Sequence, residues 1–77
     1  MDPSSIRQTI VTYFGEMGKT PNDDTDLFEA NVIDSMGLIE LVTFIDQELQ
    51  VEIGQDAMRL ENFRTISDIV KTITRVG

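Results

Sequence analysis

Cysteine and histidine are both absent from the 77 residues. Without cysteine the chain by itself can form no disulfide, thiolate nucleophile, zinc–thiolate site or iron–sulfur cluster. Without histidine it lacks the commonest general base and metal ligand. Self-contained catalysis is therefore not expected. Positive charge is scarce too: six Lys and Arg stand against fourteen Asp and Glu, a net charge of −8. Phosphate polyanions repel such a surface, which argues against nucleic acid or an anionic membrane and favours partners with basic patches. Long apolar runs are missing. The richest stretch, Met36 to Ile45, is broken by Glu40 and is far too short to span a bilayer. The start Met1-Asp2-Pro3 is acidic, unlike the basic opening of a signal peptide. The cytoplasm is the expected location, and a monomer the expected state.

What is present is one small domain's worth of chain. Hydrophobic residues make up 40%, too many for a disordered tail. A domain this short buries only about 60% of its unfolded surface, so its core is marginal.

Periodicity points to helices. Asp2 is placed to cap a first helix that opens at Pro3, where a missing N–H costs nothing. Ile6, Ile10, Tyr13, Phe14 and Met17 recur at helical spacing, predicting a helix over about residues 3–17 with Gly18 as its stop. Lys19 to Asp34 keeps no period. It holds turn formers from Pro21 to Asp26, with Leu27, Phe28, Val32 and Ile33 expected to tuck under the fold. So long a loop in so small a domain often has a function.

A second helix begins at Ser35, with Asp34 as its N-cap. At 100° per residue Leu38, Leu41, Val42, Ile45 and Leu49 form one stripe, the expected buried face. Met36, Ile39, Thr43 and Gln47 project away from it, with Glu40 just beyond. Met36 and Ile39 are either a partner-facing patch or covered by Phe28 or Ile33 from the loop. Val51 and Ile53 read as an extended link ended by Gly54. Met58, Leu60 and Phe63 suggest a short helical turn. Thr65 and Asp68 resemble a capping box opening a last helix over about residues 66–75, with Ile66, Ile69, Val70 and Ile73 on its inner face. Its β-branched content would suit a strand, but the cap and the three-to-four spacing decide for helix. The expected fold is all-α: a small bundle of three main helices plus one short helix, with a long loop between helices 1 and 2.

Two sites repay inspection. Asn22, Asp24 and Asp26 fit the first three ligand positions of a calcium loop. However, Leu27 stands where the turn needs glycine and Ile33 where a bidentate glutamate is needed, so the series reads as a solvated turn. The other site is Asp34-Ser35-Met36. A serine in the first turn of a helix shows its hydroxyl to solvent, beside unpaired N–H groups that favour an anion. No base in the chain activates it, so it is a nucleophile only if a second protein supplies one. Otherwise it is simply a helix-start residue.

Taken together, the segment Leu27-Phe28-Glu29-Ala30-Asn31-Val32-Ile33-Asp34-Ser35-Met36, the following Glu40-Leu41-Val42, Ile53, and the Phe63-Arg64-Thr65-Ile66 lead-in resemble the acyl and peptidyl carrier proteins. The resemblance covers nearly the whole chain as a single carrier domain, residues 1–77. It implies that Ser35 receives 4′-phosphopantetheine from coenzyme A through a Mg²⁺-dependent phosphopantetheinyl transferase. The arm's thiol would then hold an acyl or aminoacyl group as a thioester, so that the sulfur the chain lacks is borrowed. It further implies docking of partner enzymes on helix 2 through Asp34, Met36, Ile39, Glu40 and Thr43. The implied partners are an adenylating or acyl-transferring loading enzyme and downstream synthase or modifying enzymes. Gly37 departs from the pattern, since carriers of fatty-acid synthesis usually have an acid there. The Leu-Phe-Glu lead-in and Glu61-Asn62-Phe63 look more like stand-alone carriers of specialised biosynthesis, of the polyketide or nonribosomal peptide type. The competing expectation is an unmodified acidic interaction module.

Overall fold

A computed structural model describes residues 2–76. The elements run in the order α1 (Pro3–Glu16), α2 (Ser35–Leu49), a 3-10 turn (Leu60–Phe63) and α3 (Ile66–Val76). Among the described residues there is no strand. The fourth helical piece is a single four-residue turn, so the described residues form three α-helices and not four.

α1 opens at Pro3 as expected, but Asp2 does not cap it through its side chain. Its carboxylate takes only a long 3.4 Å bond from the Ser5 hydroxyl, while its backbone carbonyl accepts from Ile6 N–H at 3.1 Å. The helix ends in a Schellman arrangement. Lys19 N–H reaches back to the Phe14 carbonyl and Gly18 N–H to the Gly15 carbonyl, at 2.9 and 3.0 Å. That geometry puts Gly18 at φ +77°, where a side chain would be strained. Met17 lies past the last turn and is exposed; it is not part of the inner face its spacing suggested.

The loop from Lys19 to Asp34 is well tied. The Asp26 carboxylate accepts from the N–H groups of Phe28 and Glu29 at 3.1 and 3.0 Å, capping a turn over Leu27–Asn31. Leu27 N–H donates to the Arg64 carbonyl at 2.7 Å, and Ser67 N–H donates to the Asp23 carbonyl at 3.1 Å, pinning the loop to the start of α3. Ion pairs Arg7–Asp23 and Arg64–Asp26 lie over the same junction. The loop's acids thus hold the fold. Among the described residues no group of three or more acidic side chains is disposed to bind a metal ion.

Thr65 caps α3 by accepting from Asp68 N–H at 3.0 Å. Along α3 the buried Thr72 completes the inner face. Its hydroxyl bonds the Asp68 carbonyl at 2.9 Å and also reaches the Asn62 carbonyl at 3.3 Å, so the core gains a polar group at no loss of hydrogen bonding. Of the trio expected in the short turn only Phe63 is buried; Met58 and Leu60 face solvent.

α1 packs on α3, and the core is one cluster. Ile6, Ile10 and Phe14 come from α1, Leu41 and Ile45 from α2, and Ile66, Ile69 and Ile73 from α3; Leu27, Ile33, Val51 and Phe63 close it from the connections. On α2 the predicted stripe holds at its centre. Leu41 and Ile45 are fully buried, while Leu38, Val42 and Leu49 flank them half-buried. Tyr13 and Phe44 stack at a 4.5 Å centroid separation, clamping α1 to α2 beside the core.

Candidate functional site

The mouth of α2 is built by Asp34. Its backbone is extended, and its Oδ1 accepts from Gly37 N–H at 2.7 Å, while Leu38 N–H bonds its carbonyl at 2.8 Å. One free donor of the helix start is thereby satisfied. Gly37 suits this contact: a Cβ there would lie 3.2 Å from Asp34 Oδ1 and 3.5 Å from Ile33 Cβ.

Ser35 is the first residue of α2 and is exposed. Among the described residues none makes a hydrogen bond with its hydroxyl. The first turn of α2 carries no acidic side chain. Asp34 is therefore the carboxylate that meets the helix dipole there, and among the described residues the N–H groups of Ser35 and Met36 have no acceptor, which leaves them for an anion. An alcohol in this position is open to a donor, and a phosphodiester formed on it would meet a favourable field.

All five expected docking residues are exposed. Met36 is 71% exposed and Ile39 61%, so the loop does not cover them. Thr43 is exposed on the same side, its hydroxyl donating to the Ile39 carbonyl at 3.0 Å. Asp34 and Glu40 also line a groove of about 330 Å³ along the flank of the helix, facing Tyr13 and Lys19 from α1 and its C-terminal turn. There, burial first and the Glu40 charge second push the Tyr13 phenol above its ordinary range. This groove is not legible in the sequence, because Tyr13 falls in the apolar period of α1 and Lys19 in an aperiodic loop.

Comparison with known proteins bears on the same residues. Residues 4–73 match the family described as the phosphopantetheine attachment site. The chain belongs to this family of carrier proteins. A probable acyl carrier protein PigG of Serratia sp. (strain ATCC 39006) is 35% identical over 74 residues, 95% of this chain and 85% of that protein. A D-alanyl carrier protein of Streptococcus sanguinis (strain SK36) is 30% identical over 53 residues, 69% of this chain and 67% of its own length. Another, from Streptococcus pyogenes serotype M5 (strain Manfredo), is 25% identical over 72 residues, 90% and 91% of the two chains. The carrier holds its cargo as a thioester on a covalent phosphopantetheine arm, works with a phosphopantetheinyl transferase and synthetic enzymes, and is not itself an enzyme. This accounts for a chain without cysteine or histidine: the thiol comes with the arm, and the catalytic bases come with the partners. Among the described residues no helix is long and apolar enough to cross a membrane.

Proposed function

We propose that Ser35 is the residue that carries the arm. The observation that supports this is the exposed, unbonded hydroxyl at the capped mouth of α2, within the matched region. In the loading step the Ser35 oxygen attacks the β-phosphorus of coenzyme A. Its proton passes to a base of the transferase, the bond to the 3′,5′-ADP portion breaks, and that portion leaves with the electron pair. This chain contributes the alcohol, the open helix end that accepts the phosphodiester, and a surface for the transferase to grip.

That surface is Met36, Ile39 and Thr43, with Asp34 and Glu40 as acidic margins toward basic partner residues. The cargo reading is an amino acid or a short acyl unit, loaded by an adenylating or acyl-transferring enzyme and passed to downstream enzymes of specialised biosynthesis in the cytoplasm. Two features support it: relatives named as D-alanyl carriers, and Gly37 in place of the acid usual in fatty-acid carriers. The test is intact mass after incubation with coenzyme A and a broad-specificity transferase. One phosphopantetheine should be added to the wild type and none to Ser35→Ala. An unmodified wild type, under conditions that modify a control carrier, would mean an acidic interaction module instead.

A further inference from the structure

Sulfur is scarce in this chain and unevenly sheltered. Cysteine is absent, so the methionine thioethers are all the sulfur the polypeptide has. Among the described residues they belong to Met17, Met36 and Met58. Met36 is 71% exposed, against 45% for Met17 and 37% for Met58. It follows Ser35 directly in the first turn of α2, and it belongs to no part of the core. Ile39, one turn on, is the apolar side chain exposed beside it. The thioether most open to solvent is therefore the one that stands next to the attachment hydroxyl, on the surface a partner has to cover.

A thioether open to solvent reacts with a peroxide. The sulfur lone pair attacks one peroxide oxygen and the O–O bond breaks. The departing oxygen takes up the proton of the transferred one and leaves as water, and the sulfur keeps its new oxygen as a sulfoxide. An apolar, polarisable group has become a polar one. In the free chain this costs little, because Met36 already faces water. Docking is where the change is felt. A partner that covers Met36 and Ile39 strips them of water. The thioether gains from that burial, whereas a sulfoxide oxygen with no donor opposite it loses. Met17 lies past the last turn of α1 and Met58 in the connection after α2, so an oxygen on either leaves the Met36–Ile39 pair as it was.

We propose that Met36 is a peroxide-sensitive switch on docking. As the thioether it lets the chain engage the transferase, and as the sulfoxide it withholds Ser35 from modification without disturbing the fold. The proposal rests on the reading of Met36 and Ile39 as the docking surface. The switch is reversible. A sulfoxide reductase returns the thioether as two thiols become a disulfide and the oxygen leaves as water.

The experiment treats the full chain, before any arm is attached, with hydrogen peroxide, and follows the gain of one oxygen at each methionine by peptide mass. Met36 should be oxidised ahead of Met17 and Met58. Once the peroxide is removed, chain oxidised at Met36 should lose about tenfold in kcat/KM with a broad-specificity transferase, the equivalent of about 1.4 kcal/mol of contact. Its thermal melt should match that of untreated chain. Sulfoxide reductases with dithiothreitol should restore the rate. Met36→Leu keeps an apolar side chain of similar volume. It should be modified as fast as wild type and keep that rate after peroxide, although its other methionines meet the same oxidant. Oxidation of Met17 or Met58 as fast as Met36 would overturn the proposal, as would an unchanged rate for the Met36 sulfoxide or a loss that persists in peroxide-treated Met36→Leu. Failure of the docking reading registers separately and without peroxide, as a wild-type rate for Met36→Asp.

Discussion

Asp34 holds two roles that a paired substitution separates. Its Oδ1 accepts from Gly37 N–H at 2.7 Å, and the first turn of α2 that follows it carries no acidic side chain. Asp34→Ala removes both. Loss of an N-cap costs about 0.5–2 kcal/mol, centred near 1, and loss of the charge at the helix start adds about 0.3–1 kcal/mol. The total expected is about 1–2 kcal/mol. For a domain of this size, each kcal/mol lowers Tm by roughly 4–8 °C. Asp34→Asn keeps an acceptor for Gly37 and loses only the charge, so its cost should stay near the lower charge term, about 0.3–1 kcal/mol. Chemical denaturation with matched m-values measures both. The transferase reaction then reads the second role. If Asp34 also meets a basic partner residue, Asn and Ala should slow modification alike, and added salt should narrow the gap to wild type. Equal stability of wild type and Asp34→Ala would refute the cap as the organiser of this helix mouth. An Asn variant with wild-type kinetics would remove Asp34 from the docking surface.

The outer and inner faces of α2 should respond oppositely. Met36→Asp and Ile39→Asp should leave stability within about 0.5 kcal/mol while slowing transferase and loading turnover, whereas Leu41→Ala or Ile45→Ala should cost about 2–5 kcal/mol in denaturant titration. A large Tm loss for either Asp variant would put that residue in the core. Tyr13 is the sole tyrosine, so an ultraviolet titration reads it directly. Its pKa should lie above the ordinary 10.0 and fall in Glu40→Gln, yet stay raised because burial is the larger cause. The stability it contributes is present below pH 10 and lost as pH rises through the raised value. Gly15→Ala, where a Cβ meets nothing within 4 Å, should stabilise by about 0.5–1 kcal/mol. Gly37→Ala should gain clearly less, because the new methyl crowds the Asp34 cap. Equal gains in thermal melts would show that the cap yields freely.

Local chemistry was enough to place the elements. Pro3, Asp34 and Thr65 mark helix starts, Gly18 marks a stop, and the three-to-four spacing of Ile6–Ile10–Phe14, Leu41–Ile45 and Ile66–Ile69–Ile73 supplies the apolar α-helical residues of the core among the described residues. These signals depend on neighbours within about one turn, so the chain states them outright. Ser35 as an exposed helix-start alcohol was legible for the same reason. Asp2 misled because cap preference is statistical, whereas the bond depends on a rotamer that here turns to Ser5.

Contacts between distant segments were not legible. The bonds from Leu27 to Arg64 and from Ser67 to Asp23 join residues far apart in the chain, and no period encodes them. They turn an aperiodic acidic loop into a fixed wall of the bundle. The same closure brings Tyr13 and Lys19 alongside Asp34 and Glu40, so that a charged groove borders the exposed Met36 and Ile39. Sequence determined that a hydroxyl would stand at the head of α2. Only the packing of α1 and the loop against that helix decided what surrounds it, because side-chain environment is set by which surfaces meet and not by which residues adjoin.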